Sequence, residues 1–361
     1  MRYAVLLSGG VDSSTALWEL TRDPTNDVVA YYLKVWLEDE LESLGECPWE
    51  EDLSFARQVC DAAGVPLNVV SLQLEYYDRV VSHAIEELRA GRTPSPDIFC
   101  NEWIKFGAFL DHLAAGPDPG MRIASGHYAR ITEEGDHFLL RRSPDPVKDQ
   151  TYFLAHLSQH QLRRIHFPLG ALTKAEVRRR AAGYDLPAKD RPDSQGICFL
   201  GKVRYHEFIR HYLGEKTGPI VEVESGHVLG EHEGYWFHTI GQRQGLGLGG
   251  GPWYVVGKDI DSNTIHVSHS DGAKAHARNE FLVEEPSWTW RPPREERVLL
   301  KIRHGPALVG ASIEWVDGDR IRVTMDSQDR GVAPGQFAVF YDDDICLGCG
   351  RISQTEMVTG G

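Results

Sequence analysis

The chain has 361 residues, 41% of them hydrophobic and 25% charged, with a formal net charge of −15. That length exceeds one ordinary core and implies two or three domains, and the composition is that of a water-soluble globular protein. No apolar run approaches the ~20 residues of a membrane span, and the run Tyr3–Leu7 meets Gly-Gly and Asp12 too soon for a signal peptide, so a cytoplasmic protein with no membrane partner is expected.

Strand-like runs fall at Tyr3–Leu7, Val28–Trp36, Leu67–Leu72 and Arg122–Ser125. Helix-like stretches alternate with them at Val11–Arg22, Trp49–Ala63, Tyr76–Ala90 and Glu102–Ala114. Such alternation predicts an α/β fold with a doubly wound parallel sheet, its ligand at the carboxyl ends of the strands. HYARITEEGDHFLLRR, residues 127–142, reads as a hairpin turning at Glu134-Gly135. Helices are expected next near Gln150–His156, Ser158–His166, Lys174–Gly183 and Val203–Leu213. After Gly214 the texture becomes short Val/Ile/aromatic runs with turn signals at Glu224-Ser225-Gly226, Asp261-Ser262-Asn263 and Asp317-Gly318. This predicts a small central β-rich domain and a C-terminal β-barrel, with domains at 1–213, 214–278 and 279–361.

The acidity is unevenly spread. From Arg141 to Arg210, 14 Lys/Arg stand against 7 Asp/Glu, a surplus of seven, whereas Glu38–Asp52 is strongly acidic. The middle of the chain is therefore where a polyanion would be held, unless EVRRR (176–180) is only a solvated helix face.

LLSGGVDSS, residues 6–14, joins the first strand to the first helix. It is not G-x-x-x-x-G-K-[ST], and no Lys follows its glycines. Two glycines allow positive φ and close backbone approach. Successive N–H groups and the first helical turn then make an anion nest. Ser8, Ser13 and Ser14 add hydroxyls, and Asp12 is the candidate Mg²⁺ ligand. The string resembles the pyrophosphate-binding loop (PP-loop) of the ATP pyrophosphatases, which split ATP between its α and β phosphates to adenylate an oxygen. The loop supplies the class and not the substrate.

Six cysteines, Cys47, Cys60, Cys100, Cys198, Cys346 and Cys349, are too sparse for a disulfide scaffold. TPSPDIFCNEWIKF (93–106) sets two prolines, which favour an extended loop, ahead of a helix. Cys100 is expected near that helix N-terminus, where the dipole lowers a thiol pKa, with Asp97 in reach as an acid/base or orienting group. DSQGICFLG (193–201) holds Cys198 after a flexible Ser-Gln-Gly. Beside an adenylating loop, two such cysteines suit sulfur transfer, one carrying a persulfide and the other closing a disulfide. Cys346 and Cys349 form a lone C-x-x-C, a weak metal signal read as structural. Core packing is the reading for Cys60, and a loop position for Cys47.

Seven strings occur in order: AGRTPSPDIFCNEWIKF, ASGHYAR, KDQTYFLAHLSQ, DSQGICFLG, HTIGQRQGLGLGG, PWYVVGKD and APGQFAVFYDDDICLG. Together they resemble the tRNA-specific 2-thiouridylases over nearly the whole chain. The resemblance implies an N-terminal ATP-pyrophosphatase domain, a central β-rich domain and a C-terminal β-barrel. It also implies thiolation of the wobble uridine (position 34) of tRNAs for Lys, Glu and Gln, using ATP, Mg²⁺ and a sulfur-carrier or cysteine desulfurase-type donor.

By this resemblance Leu6, Leu7, Ser8, Gly9, Gly10, Val11, Asp12 and Ser13 bind ATP, with Leu33 and Gly126 lining the nucleotide. Ser95, where the family usually has Asn, surrounds the target base with Pro96 and Asp97. His127, Lys148, Asp149, Gln150, Arg303, His304 and Gln336 contact tRNA, His304 standing at a variable position. Cys198 bears the persulfide sulfur; Cys100 and Cys198, with Asp97, are the catalytic set. Either the terminal sulfur attacks C2 of the adenylated uracil, or Cys100 first releases hydrosulfide; both routes end in a Cys100–Cys198 disulfide. Two other readings compete: a PP-loop adenylating enzyme that uses no sulfur, and a non-catalytic tRNA- or nucleotide-binding protein.

Overall fold

The computed structural model describes residues 1–35, 49–192, 205–270 and 272–353. Cys47 and Cys198 lie outside the described residues. The N-terminal unit is a parallel sheet of β1 (Arg2–Leu6), β2 (Asp27–Lys34), β3 (Leu67–Ser71), β4 (Arg122–Ala124) and β7 (Ile165–His166), in the order β3-β2-β1-β4-β7. Side chains of β1 alternate, as a strand covered on both faces requires. Tyr3 and Val5 pack with Leu17 and Leu20 of α1 (Val11–Thr21) and with Leu53 and Val59 of α2 (Trp49–Ala63). Ala4 and Leu6 turn to the opposite cluster with Val81, Ile104 and Phe109. The strand order reverses between β1 and β4, so the crevice beyond their carboxyl ends is where a ligand belongs.

β7 was hidden in an expected helix. The helix over Ser158–His166 is only α6 (Gln159–Leu162), because Ile165 and His166 pair with Ile123 and Ala124. Two residues are too few to display alternation.

Two helical runs carry π-helical turns. The first, α3, is built of Gln73–Tyr76, π-helical Tyr77–Val81 and Ser82–Arg89. The second, α4, is built of Pro96–Phe99, π-helical Cys100–Ala108 and Phe109–Ala115. It begins six residues before the expected Glu102. Pro96 takes the first helical position, where a missing N–H costs nothing, so this proline starts the helix instead of extending a loop. The carbonyls of Glu102 and Phe106 accept bonds from Gln161 Nε2 at 2.8 and 3.0 Å. A Cβ on Gly107 would stand 2.6 Å from the Glu102 oxygen, so glycine is required at this close approach.

β5 (Ala129–Glu134) and β6 (His137–Arg142) form the expected hairpin, with Gly135 at φ +60°. Its neighbour was not legible: Leu140 and Arg141 pair with Cys346 and Ile345 at the far end of the chain. The short helices α5 (Thr151–Leu154), α7 (Lys174–Gly183) and α8 (Tyr205–Leu213) complete this half.

The central unit is a sheet of β8 (Gly218–Glu222), β9 (Val228–His232), β10 (Trp253–Asp259) and β11 (Thr264–His269), ordered β10-β11-β8-β9. The last unit comprises β12 (Arg278–Trp288), β13 (Arg297–Lys301), β14 (Val309–Asp317), β15 (Arg320–Asp329), β16 (Phe337–Asp342) and β17 (Ile345–Ile352). They follow the order β12-β15-β14-β13-β16-β17, and pairing of β12 with β17 closes a six-stranded barrel.

Alternation along β16 joins barrel to sheet unit. Ala338 and Phe340 fill the barrel, while Phe337, Val339 and Tyr341 face outward into the same buried cluster as Phe99, Cys100 and Tyr152. Cys346 and Cys349 belong to that cluster too. Burial pushes both thiols far above the ordinary range, so they are inert packing groups here. Lys301 on β13 and Asp149 add a wholly buried ion pair at 2.8 Å. The Asp149 carboxylate also accepts from Thr151 Oγ1 at 2.9 Å and Arg142 Nε at 3.2 Å. Among the described residues no helix is long and apolar enough to cross a membrane.

Candidate active site

The loop after β1 is folded by its own hydroxyls. Gly9 is at φ +75°, and a Cβ there would lie 2.3 Å from the Asp52 carbonyl oxygen. Ser13 Oγ accepts from the Ser8 N–H at 3.2 Å and donates to the Gly10 carbonyl at 3.1 Å; Ser14 Oγ donates to the same oxygen at 2.8 Å. Leu6, Leu7 and Val11 are buried in the core, so these three offer a nucleotide backbone groups only. Leu33 stands near the carboxyl end of β2, paired with Val70.

Two basic side chains from distant positions hold the loop. Arg191 Nη1 donates to the Gly9 carbonyl at 2.9 Å, and its Nη2 pairs with Asp52 at 2.7 Å. Lys174 Nζ lies 2.7 and 2.8 Å from the two Asp12 oxygens, and the Tyr128 hydroxyl donates to Asp12 Oδ1 at 2.8 Å. Neither Lys174 nor Arg191 was expected here, since neither belongs to a loop motif. The Asp12 carboxylate, the expected Mg²⁺ ligand, accepts from an ammonium and a phenol in this arrangement. Among the described residues no group of three or more His, Cys, Asp or Glu side chains is placed to hold a metal.

The segment after β4 connects this loop to the cysteine-bearing helix. A Cβ on Gly126 would meet the Asp12 carbonyl carbon at 2.8 Å and the Ser13 nitrogen at 2.9 Å. His127 packs between Phe106 of α4, tilted against it, and Phe167, edge to face, with ring centroids 5.8 and 5.7 Å away, and its Nδ1 lies 2.8 Å from Ser125 Oγ. Burial, with Lys105 nearby, drives the His127 pKa well below its ordinary value, so the imidazole is neutral at physiological pH. Tyr128 N–H donates to Gln150 Oε1 at 2.9 Å. Gly126→Ala is therefore expected to displace the loop backbone and weaken ATP binding by about tenfold or more, with little loss of fold, as equilibrium binding would show.

Cys100 opens the π-helical turn of α4 and is 2% exposed. It sits one turn inside the helix instead of ahead of it, with Asp97 in the first turn, where a carboxylate suits the dipole. Asn101 Nδ2 anchors this turn to the Phe153 carbonyl at 3.1 Å.

A cavity of about 280 Å³ opens beside the start of α4. Ser95, Pro96 and Asp97 form one wall, and Arg303, His304 and Gln336 from the barrel form another. Tyr152 and Phe153 of α5 complete the inner side; Tyr205, Trp236 and Phe237 close the outer one. The His304 ring stacks on Phe153 at 4.8 Å, and burial with the Lys301 charge lowers its pKa. Arg303 is held by Asp329 at 2.8 and 2.5 Å. The structure thus brings six expected tRNA or base residues into one cavity.

Of the other four, His127 lies between Phe106 and Phe167 outside this cavity, and the remaining three divide. Lys148 and Gln150 are partly exposed, whereas Asp149 is buried with its carboxylate consumed inside the fold. The basic surplus of residues 141–210 is also largely spent within the molecule. Arg141 pairs with Asp344 at 2.6 Å, Arg180 with Glu19 at 3.0 Å and Arg210 with Glu233 at 2.6 Å.

Fold and loop together define a HUP-type nucleotide-binding domain carrying two β units. The family model described as the tRNA methyl transferase HUP domain matches residues 1–202. The tRNA methyl transferase PRC-barrel domain matches 206–269, and the aminomethyltransferase beta-barrel domain matches 278–352. Full-length relatives are named for a different chemistry. The tRNA-specific 2-thiouridylase MnmA of Parabacteroides distasonis is 44% identical, over 98% of this chain and 99% of its own. MnmA 1 of Bacteroides thetaiotaomicron is 41% identical, over 98% of this chain and 100% of its own. MnmA of Porphyromonas gingivalis is 42% identical, over 98% and 99%. The chain belongs to the tRNA-specific 2-thiouridylase (MnmA) family.

Proposed function

We propose that this chain is an ATP-dependent, cytoplasmic tRNA 2-thiouridylase acting on the wobble uridine of tRNAs for Lys, Glu and Gln. The observation that carries the reading is the cavity in which Ser95–Asp97 meets Arg303, His304 and Gln336, next to the helix that presents Cys100. Aromatic walls and a few fixed polar groups suit an unstacked base, and a wobble base is unstacked for only a few kcal/mol.

The C2 oxygen of uracil is a poor leaving group. In the first step this oxygen bonds to the α-phosphorus of ATP, the α–β bridge breaks, pyrophosphate departs and the N3 proton is lost. The loop N–H groups and the Ser8 hydroxyl receive the phosphates. Sulfur from the Cys198 persulfide then reaches C2, AMP leaves, and Cys100 and Cys198 end as a disulfide that a reductant reopens. A sulfur-carrier or cysteine desulfurase-type donor reloads Cys198. The role of Asp97 is to orient or move a proton at the base. Asp12 is the residue that would hold a Mg²⁺ ion, which would supply charge neutralisation to the phosphates.

Nucleoside mass analysis of tRNA from cells lacking the protein tests the reading. Wobble 2-thiouridine derivatives should vanish and return with the intact gene, but not with Cys198→Ser; unchanged tRNA would refute it. Phosphate docking is also expected to be salt-dependent. Because much of the basic surplus is internally paired, affinity for tRNA should fall on the order of 10²-fold from about 50 to about 200 mM salt. A flat response in a filter-binding titration would exclude the 141–210 segment as a docking surface.

A further inference from the structure

We infer that Gln161, through the two carbonyls its amide grips on α4, is a positioning residue for Cys100 in the sulfur-transfer step. The inference rests on the reading of this chain as a thiouridylase. One side chain does two separate jobs. Gln161 Oε1 accepts from the Ser158 N–H at 2.9 Å and completes the capping box of α6. Gln161 Nε2 has two hydrogens to give, and donates to the Glu102 carbonyl at 2.8 Å and the Phe106 carbonyl at 3.0 Å. Both carbonyls belong to the π-helical stretch that begins at Cys100.

That wide turn decides which way Cys100 faces. A π-helical turn bonds i to i+5 and so holds one residue more than an α-helical one. The added residue rotates the start of the helix about 100° against its end. The end is fixed, because Phe109, Leu110 and Leu113 are buried in the core shared with the sheet. The start carries Asp97 and Cys100. Gly107 permits the turn, since a Cβ there would lie 2.6 Å from the Glu102 oxygen, and Gln161 fastens it from α6. Relaxation to α-helical spacing would swing Cys100 away from its present direction. The base-cavity wall ahead of α4 is tied separately, by the Thr93 N–H donating to the Pro334 carbonyl at 2.8 Å.

The sulfur step gives this direction its importance. In either route the Cys100 thiolate bonds to the Cys198 Sγ as the persulfide S–S bond breaks. The electron pair leaves on the outer sulfur, which is already joined to C2 or departs as hydrosulfide to attack it. Such a displacement needs the thiolate in line and in contact, and a misplacement of about 1 Å can cost on the order of 10²-fold. Cys100 is 2% exposed in a packed cluster, so the backbone sets its line of approach. Adenylation of the uracil oxygen uses no thiol and does not share this requirement.

Two variants of the full chain separate the two jobs. Gln161→Glu keeps an acceptor for the capping box and removes the donors; Gln161→Lys keeps donors and removes the acceptor. Each is given tRNA transcript, ATP, a cysteine desulfurase with free cysteine, and a thiol reductant, and 2-thiouridine is counted per AMP released. Amide hydrogen exchange in α4 is followed alongside. Gln161→Glu should lower the 2-thiouridine-to-AMP ratio by about tenfold or more and speed exchange in α4. Gln161→Lys should keep both near the parent. A parent-like ratio or unchanged exchange in Gln161→Glu overturns the inference, and so does a low ratio in Gln161→Lys. If Gln161→Glu fails to fold, the lysine variant decides: a parent-like ratio supports the assignment, and a low one overturns it. Failure of the thiouridylase reading itself shows differently, as a parent chain that forms no 2-thiouridine.

Discussion

Cys100→Ser is expected to stop 2-thiouridine formation, by at least about 10³-fold, while tRNA-dependent release of AMP continues as water takes the place of sulfur at C2 and regenerates uridine. A serine hydroxyl neither attacks a persulfide sulfur nor closes a disulfide, whereas adenylation of the uracil oxygen needs no thiol. The site is apolar and closed, Cys100 being 2% exposed in the cluster shared by Phe99, Phe337 and Val339. Placing a hydroxyl there costs about 1–3 kcal/mol of stability, so the thermal midpoint should move far less than the activity. Thiolation is read by nucleoside mass analysis and AMP by chromatography in the same tube. Retention of full thiolation would remove Cys100 from the chemistry. Loss of AMP release with a native midpoint would move its role to adenylation.

Lys301→Met is expected to cost about 3–5 kcal/mol and lower the thermal midpoint on the order of 10 °C. Lys301 and Asp149 are both wholly buried, so removal of the ammonium leaves a carboxylate inside the fold with Arg142 as its remaining cation. The double variant Asp149→Asn with Lys301→Met should recover much of the loss, since the penalty is the orphaned charge. The pH dependence follows the same pair. Burial raises the Asp149 pKa, but the Lys301 ammonium with Thr151 and Arg142 outweighs it and holds the carboxyl below its ordinary range. The pair's stabilisation is then complete above the unfolded carboxyl pKa of about 4 and is lost as pH falls through the lower folded value. In Lys301→Met the carboxyl loses its main partner, so acid destabilisation should begin at higher pH. Calorimetric scans between about pH 3 and about pH 7 separate the two proteins. A midpoint in Lys301→Met equal to that of the parent would show that the pair does not fasten the barrel to the sheet unit.

What could be read from residues alone follows from how local each signal is. The loop at residues 6–14 and the Ser95–Cys100 turn could be singled out because their residues are neighbours in the chain, and the sheet order places the first at a switch point. Lys174, Arg191 and Tyr128 reach Asp12 or Gly9 across more than a hundred positions, and a single sequence carries no mark of such pairs. The same holds for the β5–β6 hairpin, whose turn is local but whose partner β17 is not. Pro94 lies in the expected loop but Pro96 does not: a proline is equally at home in an extended loop and at the first turn of a helix, and packing of Ile98 and Phe99 selects the helix. Asp149 sits between two partly exposed polar neighbours, and only the barrel's Lys301 reveals that its carboxylate faces inward. Trp236 and Phe237 line the cavity beside α4 from a domain whose sequence shows only turns and short strands.

The central claim, coupled activation and sulfur transfer at one uracil, is tested most directly by stoichiometry. The full chain is incubated with an unmodified tRNA transcript, ATP, a cysteine desulfurase with free cysteine as persulfide donor, and a thiol reductant, and products are counted by mass spectrometry and chromatography. The account predicts one 2-thiouridine, at the wobble position, for each AMP released, with neither product formed when tRNA is omitted. AMP release without sulfur in the tRNA, or sulfur incorporation without ATP, would contradict it.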